Sequence, residues 1–107
     1  MIRLFPALCL LCIANLAAAQ MAVMRSGAHD GFDRLVLDMP TRMEWRAELR
    51  DGGASVVFED AALRFDLDAA FARIGRARLQ AISAPEGGGR LDLDFACACR
   101  LRAFWHG

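Results

Sequence analysis

The chain has 107 residues, with 13 basic and 13 acidic groups. That length admits one small domain. A formal net charge of zero offers no basic excess to release counterions from a nucleic acid. Every basic residue is arginine and tyrosine is absent, a pattern explained by GC-rich coding sooner than by function.

Met1-Ile2-Arg3 is a short basic start, and Leu4 to Leu16 is an apolar run broken only by Pro6 and Asn15. Ala17-Ala18-Ala19 then satisfies the small-residue rule for cleavage before Gln20. The three parts together predict a secretory signal peptide over residues 1–19. The run is shorter than the roughly 20 apolar residues of a membrane span, so contact with the membrane is expected only in transit. Neither Cys9 nor Cys12 follows the small residues of a lipidation site. The mature chain is then 107 − 19 = 88 residues, and loss of Arg3 leaves 12 basic against 13 acidic groups. Cys97 and Cys99 remain, in an oxidising compartment.

Strand-like alternation dominates the mature chain. Met21 to Met24 reads as a first short strand. The stretch from Ser26 to Gly31 is turn chemistry. Phe32 to Met39 follows, with Leu35-Val36-Leu37 apolar on both faces, which predicts a central position in a sheet. Pro40 ends it. Thr41 to Arg50 alternates, with Met43, Trp45, Ala47 and Leu49 on an inner face. Arg42, Glu44, Arg46, Glu48 and Arg50 fall on the outer face. Asp51-Gly52-Gly53 supplies a hairpin turn, and Ala54 to Phe58 returns. Ala61 to Phe65 is another strand candidate.

Leu67, Ala70, Phe71 and Ile74 stand at i, i+3, i+4 and i+7, predicting one short helix that Asp66 or Asp68 caps and Gly75 ends. Leu79 to Ala84 reads as a strand. Pro85 to Gly89 reads as a turn without a packing role. Arg90 to Phe104 reads as the longest strand, with Leu91, Leu93, Phe95, Cys97, Cys99 and Leu101 on one face. The expected fold is a small, mainly β domain over residues 20–107: an antiparallel sheet or sandwich with one short α-helix.

The stretch MRSGAHDGFDRLVLDMP, Met24 to Pro40, resembles the opening of AMIN-type domains, small periplasmic β modules of the cell envelope. Phe32, Arg34, Leu35-Val36-Leu37 and Asp38 carry the resemblance, which is weak outside this stretch. Such modules close with a late strand of the form R-L-V-I-D-L, and nothing like it follows Phe104. The module is thus expected to be degenerate or cut short at its C-terminus. The resemblance implies a periplasmic, non-catalytic module that binds peptidoglycan or envelope and septal proteins.

The chemical candidates are few. In an extended strand, residues two apart lie roughly 6.5 to 7 Å apart at Cα, at or past the edge of the roughly 4.4 to 6.8 Å of relaxed disulfides. Three readings of Cys97 and Cys99 stay open: buried core thiols, a strained local disulfide, or a redox or metal role. Zinc needs about four ligands, and only His29 and His106 could join the pair. Copper(I) bound by thiols and by Met21, Met24, Met39 or Met43 is the rival function. His29-Asp30 lies in an unspecific loop, no serine stands in a nucleophile elbow, and Gly87-Gly88-Gly89 precedes a strand where a phosphate loop would precede a helix. Asp66/Asp68 and Asp92/Asp94 read as caps and solvated faces. No enzymatic activity and no cofactor are therefore expected. The candidate contact surface is Arg34, Arg42, Trp45 and Arg46, read as a recogniser of carboxylates.

Overall fold

The computed structural model describes residues 20–106. The signal-peptide expectation over residues 1–19 lies outside them. The described residues are mainly β and form two sheets. The strands are β1 (Met21–His29), β2 (Phe32–Asp38), β3 (Trp45–Arg50), β4 (Gly53–Phe58), β5 (Arg64–Asp66), β6 (Leu79–Ser83) and β7 (Arg90–Phe95). The first sheet has the order β2-β1-β5, the second β3-β4-β7-β6. All pairings are antiparallel except β1 with β5.

Local chemistry sets the hairpins. His29 faces Phe32 across Asp30-Gly31, and Gly31 takes a φ of +82°. Arg50 faces Gly53 across Asp51-Gly52, with Gly52 at +75°. These are left-handed values that only glycine adopts without a Cβ penalty. The chain then changes sheets between hairpins. It leaves β2 for the β3–β4 hairpin, returns to add β5 beside β1, and closes with β6 and β7 in the second sheet.

One core lies between the two sheets. Ala22 and Met24 from β1 meet Phe58, Leu79, Leu91 and Leu93 from the second sheet. Leu63 and Leu91 are fully buried. The Phe58 and Phe65 rings, one from each sheet, pack with centroids 5.5 Å apart. Asp33 and Arg78 tie the sheets at one edge by an ion pair of 3.0 Å. The Asp33 side chain is only 12% exposed, so this pair is shielded more than the surface ones.

Several expectations are corrected. Residues 67–75 form successive turns and no helix, with Ala70 N–H donating to the Leu67 carbonyl and Ala72 N–H to that of Ala69. Ala70 and Ile74 are nevertheless buried, and Leu67 and Phe71 pack on the core. The apolar spacing marks the residues that turn inward, but too few follow to repay helix nucleation. β2 is an edge strand, not a central one. Its Val36 lies on the outer face opposite Arg25, beside the two-pronged Arg25–Asp38 pair.

The strand expected from Thr41 begins only at Trp45. Of its predicted inner face, Met43 is buried and Trp45 half-buried, but Ala47 is exposed and Leu49 is 73% exposed. β3 is the edge strand of its sheet, and Ala47 and Leu49 stay exposed there although Ala54, the β4 partner of Leu49, is buried.

The glycine turn does pack. Gly87, Gly88 and Gly89 all have positive φ. Gly89 donates to the Leu63 carbonyl and accepts from Phe58 N–H, each at 2.8 Å. A Cβ at Gly88 or Gly89 would collide with the backbone of residues 60–63. The long last strand stops at Phe95, and residues 96–106 continue without strand pairing. There Ala96 N–H turns to the Arg78 carbonyl at 2.8 Å.

Candidate functional site

The second sheet has two chemically distinct faces. On its inner face Leu49, Ala54 and Leu93 lie in one row, and Ala47, Val56 and Leu91 in the next. Its outer face carries Arg46, Glu48 and Arg50 on β3, Ser55 on β4, and Arg90, Asp92 and Asp94 on β7. These polar groups satisfy one another. Ser55 Oγ donates to Asp92 Oδ1 at 2.7 Å, and Arg90 Nε donates to the same oxygen at 3.0 Å. Arg90 also reaches Ser55 Oγ at 3.2 Å. The Ser55 hydroxyl, reinforced by Arg90, holds the Asp92 carboxyl below the usual carboxylate range. Arg50 donates to Asp94 at 2.8 Å and to the Leu93 carbonyl at 3.0 Å. It crosses Gly53 to do so, and a Cβ there would lie 2.9 Å from the guanidinium carbon. With its charges already paired, this face has little left to offer a ligand.

The open site lies at the other end of β3. Arg42, Met43, Glu44, Trp45, Glu59 and Trp105 line a cleft of about 620 Å³. Trp45 starts β3 and is held by its register with Phe58. Glu44 and Glu59 flank the ends of the same two strands, and Glu59 N–H donates to the Glu44 carbonyl at 2.9 Å. Trp105 comes from the C-terminal segment. The Arg42 guanidinium sits 5.1 Å from its ring centroid, within cation–π range. Neither Glu44 nor Glu59 is in an ion pair among the described residues. The cleft thus presents two indole rings, a guanidinium and two carboxylates.

Of the four residues expected from sequence, the structure brings Arg42 and Trp45 together in this cleft. Arg46 is on β3 but on the opposite face, bonded to Glu48 at 3.0 Å. Arg34 is on the first sheet, with its guanidinium 5.8 Å from the exposed Phe32 ring. Phe32 in turn stacks on His29 at 4.8 Å. The four residues therefore form no single surface. Sequence reasoning missed Glu59 and Trp105 as members of the site. Alternation could not find them, because both lie outside strands.

Cys97 and Cys99 are joined in a disulfide, with Cα atoms 5.1 Å apart. The backbone is bent here, not extended, and the separation falls inside the relaxed range. The expectation that both thiols continue the line of Leu91, Leu93 and Phe95 fails for this reason. Loop closure over so few residues constrains the unfolded chain by only about 1.5 kcal/mol. In this state neither sulfur is a thiolate, the form that binds soft metals. Among the described residues, no group of three or more His, Cys, Asp or Glu side chains is placed to hold a metal ion. A smaller groove of about 310 Å³ runs between the disulfide and the β3–β4 hairpin, lined in part by Leu49, Phe95 and Leu101.

No family model, curated protein or solved structure matches the chain.

Proposed function

We propose that this protein is an exported, non-enzymatic module of the periplasm that binds peptidoglycan. Its binding site is the cleft between Arg42, Trp45 and Trp105. The observation that carries the reading is the pairing of two tryptophans with an arginine and two free carboxylates in one open cleft. Indole faces stack on the C–H faces of sugar rings while leaving the hydroxyls to polar partners. Glu44 and Glu59 can accept from those hydroxyls or from an amine of a stem peptide. Arg42 can hold a stem carboxylate through its planar fork.

Two further features support this assignment. The signal-peptide pattern of residues 1–19 directs the chain out of the cytoplasm. The residues of the AMIN-type resemblance, Phe32, Arg34, Leu35-Val36-Leu37 and Asp38, span β2 from its first residue to its last. An envelope protein partner is the alternative occupant of the same cleft. Co-sedimentation with purified peptidoglycan sacculi tests the reading. Wild-type protein should pellet with sacculi, and Trp105→Ala should release it to the supernatant.

A further inference from the structure

We propose that β3 is a dimerisation edge, by which two copies of this chain join their second sheets into one continuous antiparallel sheet. β3 ends the order β3-β4-β7-β6 and has no neighbour on its far side. Five of its six residues are exposed. A bare edge strand of this length is a template for a further strand unless something blocks it. β3 contains no proline, bulge or inward-pointing charge; its charged side chains, Arg46, Glu48 and Arg50, lie on the outer face and alternate in sign.

The backbone fixes which residues would pair. Arg50 and Gly53 flank a two-residue turn, and Glu59 N–H bonds to the Glu44 carbonyl. The even-numbered residues of β3 therefore spend their N–H and C=O groups on β4. Those of Trp45, Ala47 and Leu49 point to the open edge. No loop or terminal segment among the described residues makes a backbone hydrogen bond to them.

Charge then selects the register. With the two-fold axis at Ala47, Arg46 of each copy faces Glu48 of the other. On the other face, Trp45 of one copy covers Leu49 of the other, the most exposed large apolar residue in the described chain. Ala47, facing its own copy, is small enough for close approach. In this register the Ala47 pair and the two Trp45–Leu49 pairs exchange backbone hydrogen bonds. The charged pairs then fall at the non-hydrogen-bonded positions, where side chains come closest. Moving the axis one residue, to Glu48, sets Glu48 against Glu48 and Arg46 against Arg50. Like charges directly opposite are destabilising, so that register is disfavoured.

The pattern is self-complementary, as a two-fold interface requires. Arg46 and Glu48 already pair within the chain at 3.0 Å, with both side chains more than half exposed. Dimerisation exchanges these exposed contacts for cross-strand ones. β2, the corresponding edge of the first sheet, is less suited. The one carboxylate on its outer face, Asp38, is already clamped by two bonds from Arg25.

Sedimentation velocity of residues 20–107 over a concentration series, at low and high salt, tests the proposal. The wild type should show a concentration-dependent dimer that weakens with salt. R46E alone sets a new carboxylate against Glu48 of the second copy, and E48R alone sets a new guanidinium against Arg46. Each should weaken self-association by about tenfold or more. Mixing the two variants should restore a heterodimer, since every carboxylate at these two positions then faces a guanidinium. Circular dichroism checks that both variants stay folded, as expected for substitutions at exposed sites. A wild type that stays monomeric into the hundreds of micromolar overturns the proposal. So do variants that associate as well as the wild type, or a mixture that shows no heterodimer.

Discussion

Gly53→Ala probes how the outer face of the second sheet is built. Gly53 is buried, pairs with Asp94 across β4–β7, and lies beneath the Arg50 guanidinium. An added methyl group would collide with the Leu93 carbonyl oxygen and with the guanidinium. The carbonyl belongs to the β7 backbone and cannot retreat without loosening the β4–β7 ladder. Overpacking of this kind costs about 1–3 kcal/mol. Displacing Arg50 from the Leu93 carbonyl adds about 0.5–1.5 kcal/mol. The backbone at Gly53 is not left-handed, so alanine gains about 0.4–1 kcal/mol by restricting the unfolded chain. The net loss should be about 0.5–4 kcal/mol, read from urea unfolding followed by far-UV circular dichroism at pH 7. The same substitution in an Arg50→Ala background separates the two contacts. The backbone clash should persist there and still cost about 1 kcal/mol or more. A neutral or stabilising Gly53→Ala, or a cost that vanishes once Arg50 is gone, would refute the reasoning.

Two further substitutions bear on the polar groups. Ser26 Oγ is buried on the inner side of β1 with no hydrogen-bond partner; Ser26→Ala should raise stability by about 1 kcal/mol in the same assay, and a loss would show that the hydroxyl has a partner. Ser55→Ala removes the main group that lowers the Asp92 pKa. A depressed carboxylate stabilises the fold above its unfolded pKa, and the gain fades as pH falls through the folded value. The variant should therefore lose about 1 kcal/mol at pH 7, where Asp92 is charged in both states. That difference should shrink as the solution is acidified through and below the carboxylate range. A gap that stays constant with pH would remove Asp92 from the explanation.

Alternation carried the sequence reading where both faces of a strand had chemical signatures. Leu91 and Leu93 against Asp92 and Asp94 gave β7 its inner and outer sides, and Asp51-Gly52-Gly53 placed the β3–β4 hairpin. Ser26 to His29, expected as turn, instead continue β1, and only Asp30-Gly31 turns. Alternation failed where the answer depended on which element lies next door. Leu49 alternates like a core residue but lies on the edge strand β3 and stays exposed. Val36 resembles the middle of a central strand, yet β2 is an edge. Helical spacing found the buried Ala70 and Ile74 but not the turns that carry them. Cys97 and Cys99 continue the β7 period in sequence, but the backbone bends after Phe95 and closes a disulfide. The cleft was half legible. Arg42 and Trp45 are neighbours on one strand approach, while Glu59 and Trp105 reach them only through tertiary structure.

The cleft is the centre of the functional account, and sacculus co-sedimentation of wild type, Trp45→Ala and Trp105→Ala tests it most directly. Trp105 lies in a segment without strand pairing, so its replacement leaves the sheets intact and isolates the binding effect. Base–aromatic and sugar–aromatic stacking share the same apolar faces, so sheared DNA serves as a control surface. Retention of the wild type by sacculi, no retention on DNA, and loss of sacculus binding in both variants are expected, with unchanged circular dichroism for Trp105→Ala. A wild type that stays in the supernatant at low salt, or a Trp105→Ala protein that pellets as fully as the wild type, would contradict it.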